Sequence, residues 1–292
     1  GNNKDYPAGY MGWEANISTA PNGALIYDKS LESLSQIIYT QPTVENLGDG
    51  IWVIGGYSIA NFFVIEAPEG LIVYDTGDYA EEGRRVRQVI EEKISKRPIK
   101  AIIYSHSHYA LGGGALVDDH KSVMVIGHRT LNDTVKTNLQ GGGSPSAIPE
   151  LGPVLSARGA VQFSNFLPLE GEDATLGARL EFKEPAFLPV NTPVENGQIL
   201  KVAGLDLQFF TDHVSDDYTV TAWIPERREA LNNFFWPGTP NLYSLRGAVY
   251  RDPTIWRDGL KVIRDPKPRY LPSTHARSIV GDKKVSDALP NH

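Results

Sequence analysis

IIYSHSHYALGGG, residues 102–114, is the stretch on which the fold is read. A short β-branched run, Ile102 and Ile103, leads into His106 and His108, and three glycines follow at 112–114. Side chains of an extended strand alternate between faces, so residues two apart point the same way. A His-x-His pair just past a strand end therefore aims two imidazoles at one point. Imidazole nitrogens hold Zn²⁺ at about 2.0–2.1 Å, which makes the pair a candidate metal site.

Upstream, residues 71–77 read LIVYDTG, a buried strand ending at Asp75. Residues 80–96 place Val86, Val89, Ile90 and Ile94 at helical spacing. Residues 99–104 form the next strand, so the order is strand–helix–strand, a βαβ unit whose functional groups lie beyond the strand C-termini. Two further short strands, 51–54 and 60–66, precede it. Downstream come a strand at 123–126, His128 at its end, and a helix at 131–139. Residues 141–153 are rich in Gly, Pro and Ser and read as a long loop. A second β-rich half follows: a hairpin at 197–212, strands at 218–224 and 230–235, a helix at 253–264 and a short strand at 269–271. Two such halves predict an α/β, four-layer αβ/βα sandwich. Residues 1–45 read as an N-terminal arm packing on the body, 46–281 as the main α/β domain and 282–292 as a tail.

Composition narrows the chemistry. The 292 residues contain no cysteine, so any zinc must rest on His, Asp or Glu. The formal net charge of -7 disfavours nucleic acid as a partner. No apolar run is long enough to span a bilayer. Among the seven histidines, His213 ends the hairpin in TDHVSDDYTVTAWIP and His275 follows the last short strand. Three histidines with an open fourth position would make a catalytic zinc site.

These motifs resemble the metallo-β-lactamase superfamily. Its first metal motif, H-x-H-x-D-H before glycines, is similar to His106, Ser107, His108, Tyr109, Ala110 and Leu111, with the Asp and last His replaced. The resemblance implies the metallo-β-lactamase fold, with His106, His108 and His213 on a first metal, His275 left over from a second, and Asp75 as the carboxylate that orients a ligand histidine. A shared carboxylate of that family falls near Asn233 here. With Ala110 and Leu111 unable to bind metal, the expectation is one Zn²⁺ per chain. Asn241, Tyr243 and Arg246, in NLYSLRG, resemble the alkylsulfatase branch, in which the Asn and Arg hold the sulfate ester. A guanidinium fork and an amide donor suit a tetrahedral oxyanion.

The expectation is thus a zinc-dependent hydrolase acting on a small ester with an anionic group. His275 and Asp212 would move protons, Asn241 and Arg246 would anchor the anion, and Tyr109 and Tyr243 would line the pocket. The alternatives are a zinc lyase or isomerase on the same fold, and a binding protein that lost the second metal site. The resemblance further implies a periplasmic or secreted setting, and a helical dimerisation domain that residues 282–292 would begin, with a homodimer as its assembly.

Overall fold

The computed structural model describes residues 17–27, 36–140, 157, 160, 165–168, 181, 183–213, 218–235 and 252–289. A hairpin of β1 (Ile17–Thr19) and β2 (Leu25–Tyr27) precedes the body. The first sheet has seven strands in chain order: β3 (Thr43–Gly48), β4 (Ile51–Gly55), β5 (Phe62–Ala67), β6 (Gly70–Tyr74), β7 (Ile99–Ile103), β8 (Met124–His128) and β9 (Thr192–Val194). Pairing is antiparallel from β3 to β6 and parallel from β6 to β9. The predicted βαβ unit is β6, helix α1 (Ala80–Lys93) and β7.

The second sheet runs β10 (Ile199–Val202), β11 (Leu205–Phe210), β12 (Thr221–Ile224), β13 (Glu229–Leu231), β14 (Tyr270–Leu271) and β15 (Ile279–Val280). Strand β13 pairs with β14 in parallel, and the remaining pairs are antiparallel. Short helix α2 (Gly113–Leu116) and α3 (Leu131–Gln140) follow β7 and β8. Helix α4 (Pro253–Arg264) starts behind Asp252, whose side chain accepts from the Thr254 N–H, and ends before β14; α5 (Asp282–Ala288) follows β15.

Strand alternation sorts the apolar residues into layers. Phe63, Ile65, Ile72, Tyr74, Ala101 and Ile103 face the second sheet and meet Leu205, Leu207, Phe209, Ala222, Ile224 and Leu231. Their alternates Phe62, Val64, Leu71, Val73, Ile102 and Tyr104 face outward onto Val86, Val89 and Ile90 of α1 and Leu131 and Val135 of α3. Phe234, Ile263, Leu271, Val285 and Leu289 make the layer between the second sheet and its helices. The result is the four-layer sandwich expected from the sequence, a mixed α/β arrangement of the metallo-β-lactamase type. Among the described residues no helix is long and apolar enough to cross a membrane.

Strands β3 and β9 carry no strand signal in the sequence. Strand β9 contains Pro193, which a sheet tolerates on an edge, and β9 is the edge. The loop expected at 141–153 lies outside the described residues.

One buried group works against this packing. Glu229 is fully buried, and among the described residues neither carboxylate oxygen has a hydrogen-bond partner. Burial pushes its carboxyl from 4.5 up to about 8, with Arg227 pulling it back. Between those values the folded state holds a proton that the unfolded chain has released, so stability falls as pH rises through that window. We expect Glu229→Gln to stabilise the protein at pH 8 by on the order of a few kcal/mol and to do little at pH 4.5, as read by urea denaturation at both pH values. An equal effect at both would show that Glu229 does not hold that extra proton.

Candidate metal centre

The site begins where β6 and β7 end side by side. The Asp75 N–H donates to the Ile103 carbonyl at 2.9 Å, extending the parallel pair by one residue. Asp75 then turns into the left-handed region, φ +64°, which Asp tolerates better than most residues. Its carboxylate accepts the Ser105 N–H and the Ser105 hydroxyl, both at 2.8 Å. Burial pushes that carboxyl up to about 8, while the two Ser105 donors pull it down. Ser105 Oγ also lies 2.7 Å from His106 Nδ1. Once Asp75 ionises, as pH rises through about 8, the Ser105 hydroxyl is committed to it, and His106 then donates from Nδ1 and carries its lone pair on Nε2. Asp75 thus reaches His106 by way of Ser105.

His106 is buried and His108 partly so, with ring centroids 5.1 Å apart and the rings edge to face. Asp78 lies beside His108. Burial pushes its carboxyl up to about 6, and the His108 charge and the Tyr109 N–H pull it back. The Asp78 N–H donates to Glu82 Oε1 at 2.9 Å. The glycines after the motif are required by close approach: a Cβ on Gly112 would lie 2.0 Å from the Thr76 carbonyl oxygen.

The other two histidines come from the second sheet. His275 is partly buried, with Nδ1 3.0 Å from the Ile59 carbonyl and Nε2 3.2 Å from the Tyr109 hydroxyl. Asn61 fixes its loop, donating from its amide to the carbonyls of Ser273 and Ala276, both at 2.9 Å. His213 is buried, and burial alone pushes its imidazole down to about 4, so it is neutral. Its Nε2 is 2.7 Å from Thr221 Oγ1, and its ring packs edge-on against Phe234 at 4.8 Å.

Two of the three expected zinc donors meet: His106 and His108. His213 is turned to Thr221 and Phe234, and among the described residues no three His, Asp or Glu side chains are grouped to hold one ion. Ala110 is fully buried in the outer apolar layer and Leu111 packs against it, so neither position offers a second ion a donor. Asn233 is buried with both amide atoms unpartnered among the described residues. Asp212 is exposed beside His213. His128 stacks flat on Tyr218 at 4.8 Å. Asn241, Tyr243 and Arg246 lie outside the described residues. The sequence reading missed Ser105, Asp78, Asn61 and the Ile59 carbonyl. Of these, only Asp78, three residues after Asp75 in DTGD, left a signal.

The Asp75–Ser105 contact is testable. Asp75→Ala leaves buried Ser105 donors without an acceptor and puts alanine at φ +64°; we expect a loss of about 2–5 kcal/mol by chemical denaturation. Asp75→Asn keeps one oxygen for the Ser105 N–H and should cost less. Equal losses would assign the cost to the missing carboxylate rather than to the backbone, because asparagine tolerates this conformation as aspartate does.

With this geometry in hand, similarity to known proteins is informative. Residues 55–228 match the family model described as the metallo-beta-lactamase superfamily. The chain is 30% identical over 239 residues to a linear primary-alkylsulfatase from a Pseudomonas species, a match covering 77% of this chain and 43% of that protein. The chain thus spans about two fifths of the length of the curated relatives it matches. Among solved structures, a stereoselective inverting sec-alkylsulfatase from Pseudomonas sp. superposes with a TM-score of 0.69 at 21% identity, covering 94% of this chain and 47% of that one. A metallo-β-lactamase from Hirschia baltica does so with a TM-score of 0.53 at 14% identity, covering 85% and 96%. A family match over more than half of the sequence, on a four-layer sandwich with a His-x-His pair at its parallel strand ends, leaves one conclusion: this chain belongs to the metallo-beta-lactamase superfamily and within it is similar to the alkylsulfatases.

Proposed function

We propose that the chain is a metal-dependent hydrolase acting on a small ester with an anionic group, a sulfate ester first of all. The observation that carries the reading is the pair His106–His108, with His106 in contact with Ser105 and through it with Asp75, in a chain 30% identical to a linear primary-alkylsulfatase. In this reading His106, His108 and His213 hold one zinc ion. A neutral imidazole favours it: burial keeps His213 uncharged. Against it stands the His213–Thr221 contact, which zinc binding would have to replace. A bound zinc ion would supply Lewis-acid polarisation. The chain's own residues would supply the rest. Arg246 and Asn241 would anchor the anionic group, Tyr109 and Tyr243 would line the pocket, and His275 and Asp212 would carry protons. The apolar surroundings of Ala110 and Leu111 support one ion rather than two.

The test is elemental analysis of protein purified without added metal, followed by product analysis on a panel of sulfate, phosphate and carboxylate esters. We expect about one zinc ion per chain, lost in His106→Ala, with sulfate esters cleaved in preference and the variant slower by at least about 10²-fold. Protein that holds no metal after zinc is supplied, and cleaves nothing in the panel, would overturn the reading and leave a binding protein on the same fold.

A further inference from the structure

Tyr109 adopts a backbone conformation uncommon outside glycine, φ +61°. It is pinned there from both sides. Its carbonyl accepts the Thr76 N–H at 2.7 Å and the Thr76 hydroxyl at 3.0 Å. Its own N–H donates to the Asp78 carboxylate. A strained residue of this kind costs about 1–3 kcal/mol and persists only where the surroundings over-determine it. The strain gives the phenol its direction, because Tyr109 Oη stands 3.2 Å from His275 Nε2.

The direction of that hydrogen bond follows from the other side of the imidazole. His275 Nδ1 faces the Ile59 carbonyl at 3.0 Å, and a carbonyl only accepts, so Nδ1 carries the proton. In the neutral ring Nε2 then holds a lone pair, and the Tyr109 hydroxyl donates to it. The Asn61 amide holds the His275 loop in place from the other sheet. The Tyr109 ring also lies 5.5 Å from that of His106 and 6.1 Å from that of His108. A hydroxyl held toward an oriented imidazole, itself held by a third group, is the arrangement of a base-activated oxygen. It stands beside Ala110 and Leu111, where the family's motif has metal-binding residues.

We propose that Tyr109 and His275 form a proton relay that serves the reacting water of this site, with Tyr109 as a catalytic residue and Ile59 and Asn61 as positioning groups. The proposal rests on the hydrolase reading. In the forward step one water proton passes to Tyr109 Oη while the Tyr109 proton passes to His275 Nε2. The water oxygen forms its bond to the electrophilic atom of the ester, and the bond to the leaving oxygen breaks. The leaving oxygen then takes a proton from Tyr109, which recovers its own from His275. Both residues end as they began, and ester plus water gives alcohol plus acid.

The relay is tested first without any turnover, by labelling with benzenesulfonyl fluoride and mapping the label by peptide mass spectrometry. In that reaction the tyrosine oxygen bonds to sulfur, fluoride leaves and the phenol proton goes to the imidazole. We expect Tyr109 to label at least about tenfold faster than the more exposed Tyr218, and His275→Gln, checked for folding by circular dichroism, to slow it about as much. Labelling of Tyr109 no faster than Tyr218, or indifferent to His275→Gln, would overturn the relay. In turnover, Tyr109→Phe keeps the ring and removes the hydroxyl; kcat should fall about 10²–10⁴-fold with KM and zinc content unchanged, and an unaltered kcat would overturn the role. If no ester in the panel is cleaved by the wild type and the labelling pattern holds, the hydrolase reading fails and the Tyr109–His275 pair stands as an activated hydroxyl.

Discussion

The joint between the ends of two parallel strands governs the rest of this molecule. Asp75 leaves β6 with its carboxylate buried, and the nearest donors able to satisfy it belong to Ser105 at the end of β7. A buried carboxylate without partners costs several kcal/mol, so the two strand ends are held in fixed relation. The second sheet is tied to the same place through one residue. Val220 donates its N–H to the Ser105 carbonyl, and its own carbonyl accepts the Tyr74 hydroxyl, both at 2.8 Å. His106 follows Ser105 directly. The orientation of its ring is therefore set by the same few polar contacts that hold the two sheets in register.

Around this joint, three histidines each have a ring nitrogen against an oxygen of another residue. His106 leans on Ser105, His213 on Thr221 and His275 on the Ile59 carbonyl. The three partners differ in consequence. A carbonyl fixes the tautomer outright, whereas a hydroxyl can donate or accept and leaves the ring's state to the next group along. His275 is thus the histidine whose proton position is set by the backbone alone. His106 inherits its state from Asp75. The site thus combines one imidazole whose tautomer the backbone fixes with others whose state follows the neighbouring side chains.

The architecture was largely legible in the sequence. The alternation in 62–65, 71–74 and 101–104 sorts side chains to the two faces of a strand buried on both sides, and Val86, Val89 and Ile90 mark the helix above it. The His-x-His pair was legible because two residues of one type at strand spacing carry their geometry with them. What stayed hidden depends on contacts between distant residues. Asn61, the Ile59 carbonyl and the Tyr109–His275 bond have no local pattern, since their partners lie more than 160 residues away. The turning of His213 toward Thr221 was equally hidden, because spacing shows where a strand ends and not which way a side chain swings beyond it. Strand β9 was masked by Pro193, whose edge position only the completed sheet reveals.

The Asn61 clamp on the His275 loop has a consequence for how this corner can be lost. Its two amide bonds close the chain on itself across 212 and 215 residues. Closing a flexible loop of that length costs on the order of 5 kcal/mol in chain entropy, before any constant term. Each bond contributes about 1 kcal/mol net, so the clamp does not close the ring by itself. The facing apolar surfaces of the two sheets hold it shut, from Phe63 and Tyr74 on one side to Phe209 and Leu231 on the other. The integrity of the His275 corner is therefore a property of the whole interface, and loosening that interface far from any histidine reaches His275 as a lost hydrogen bond.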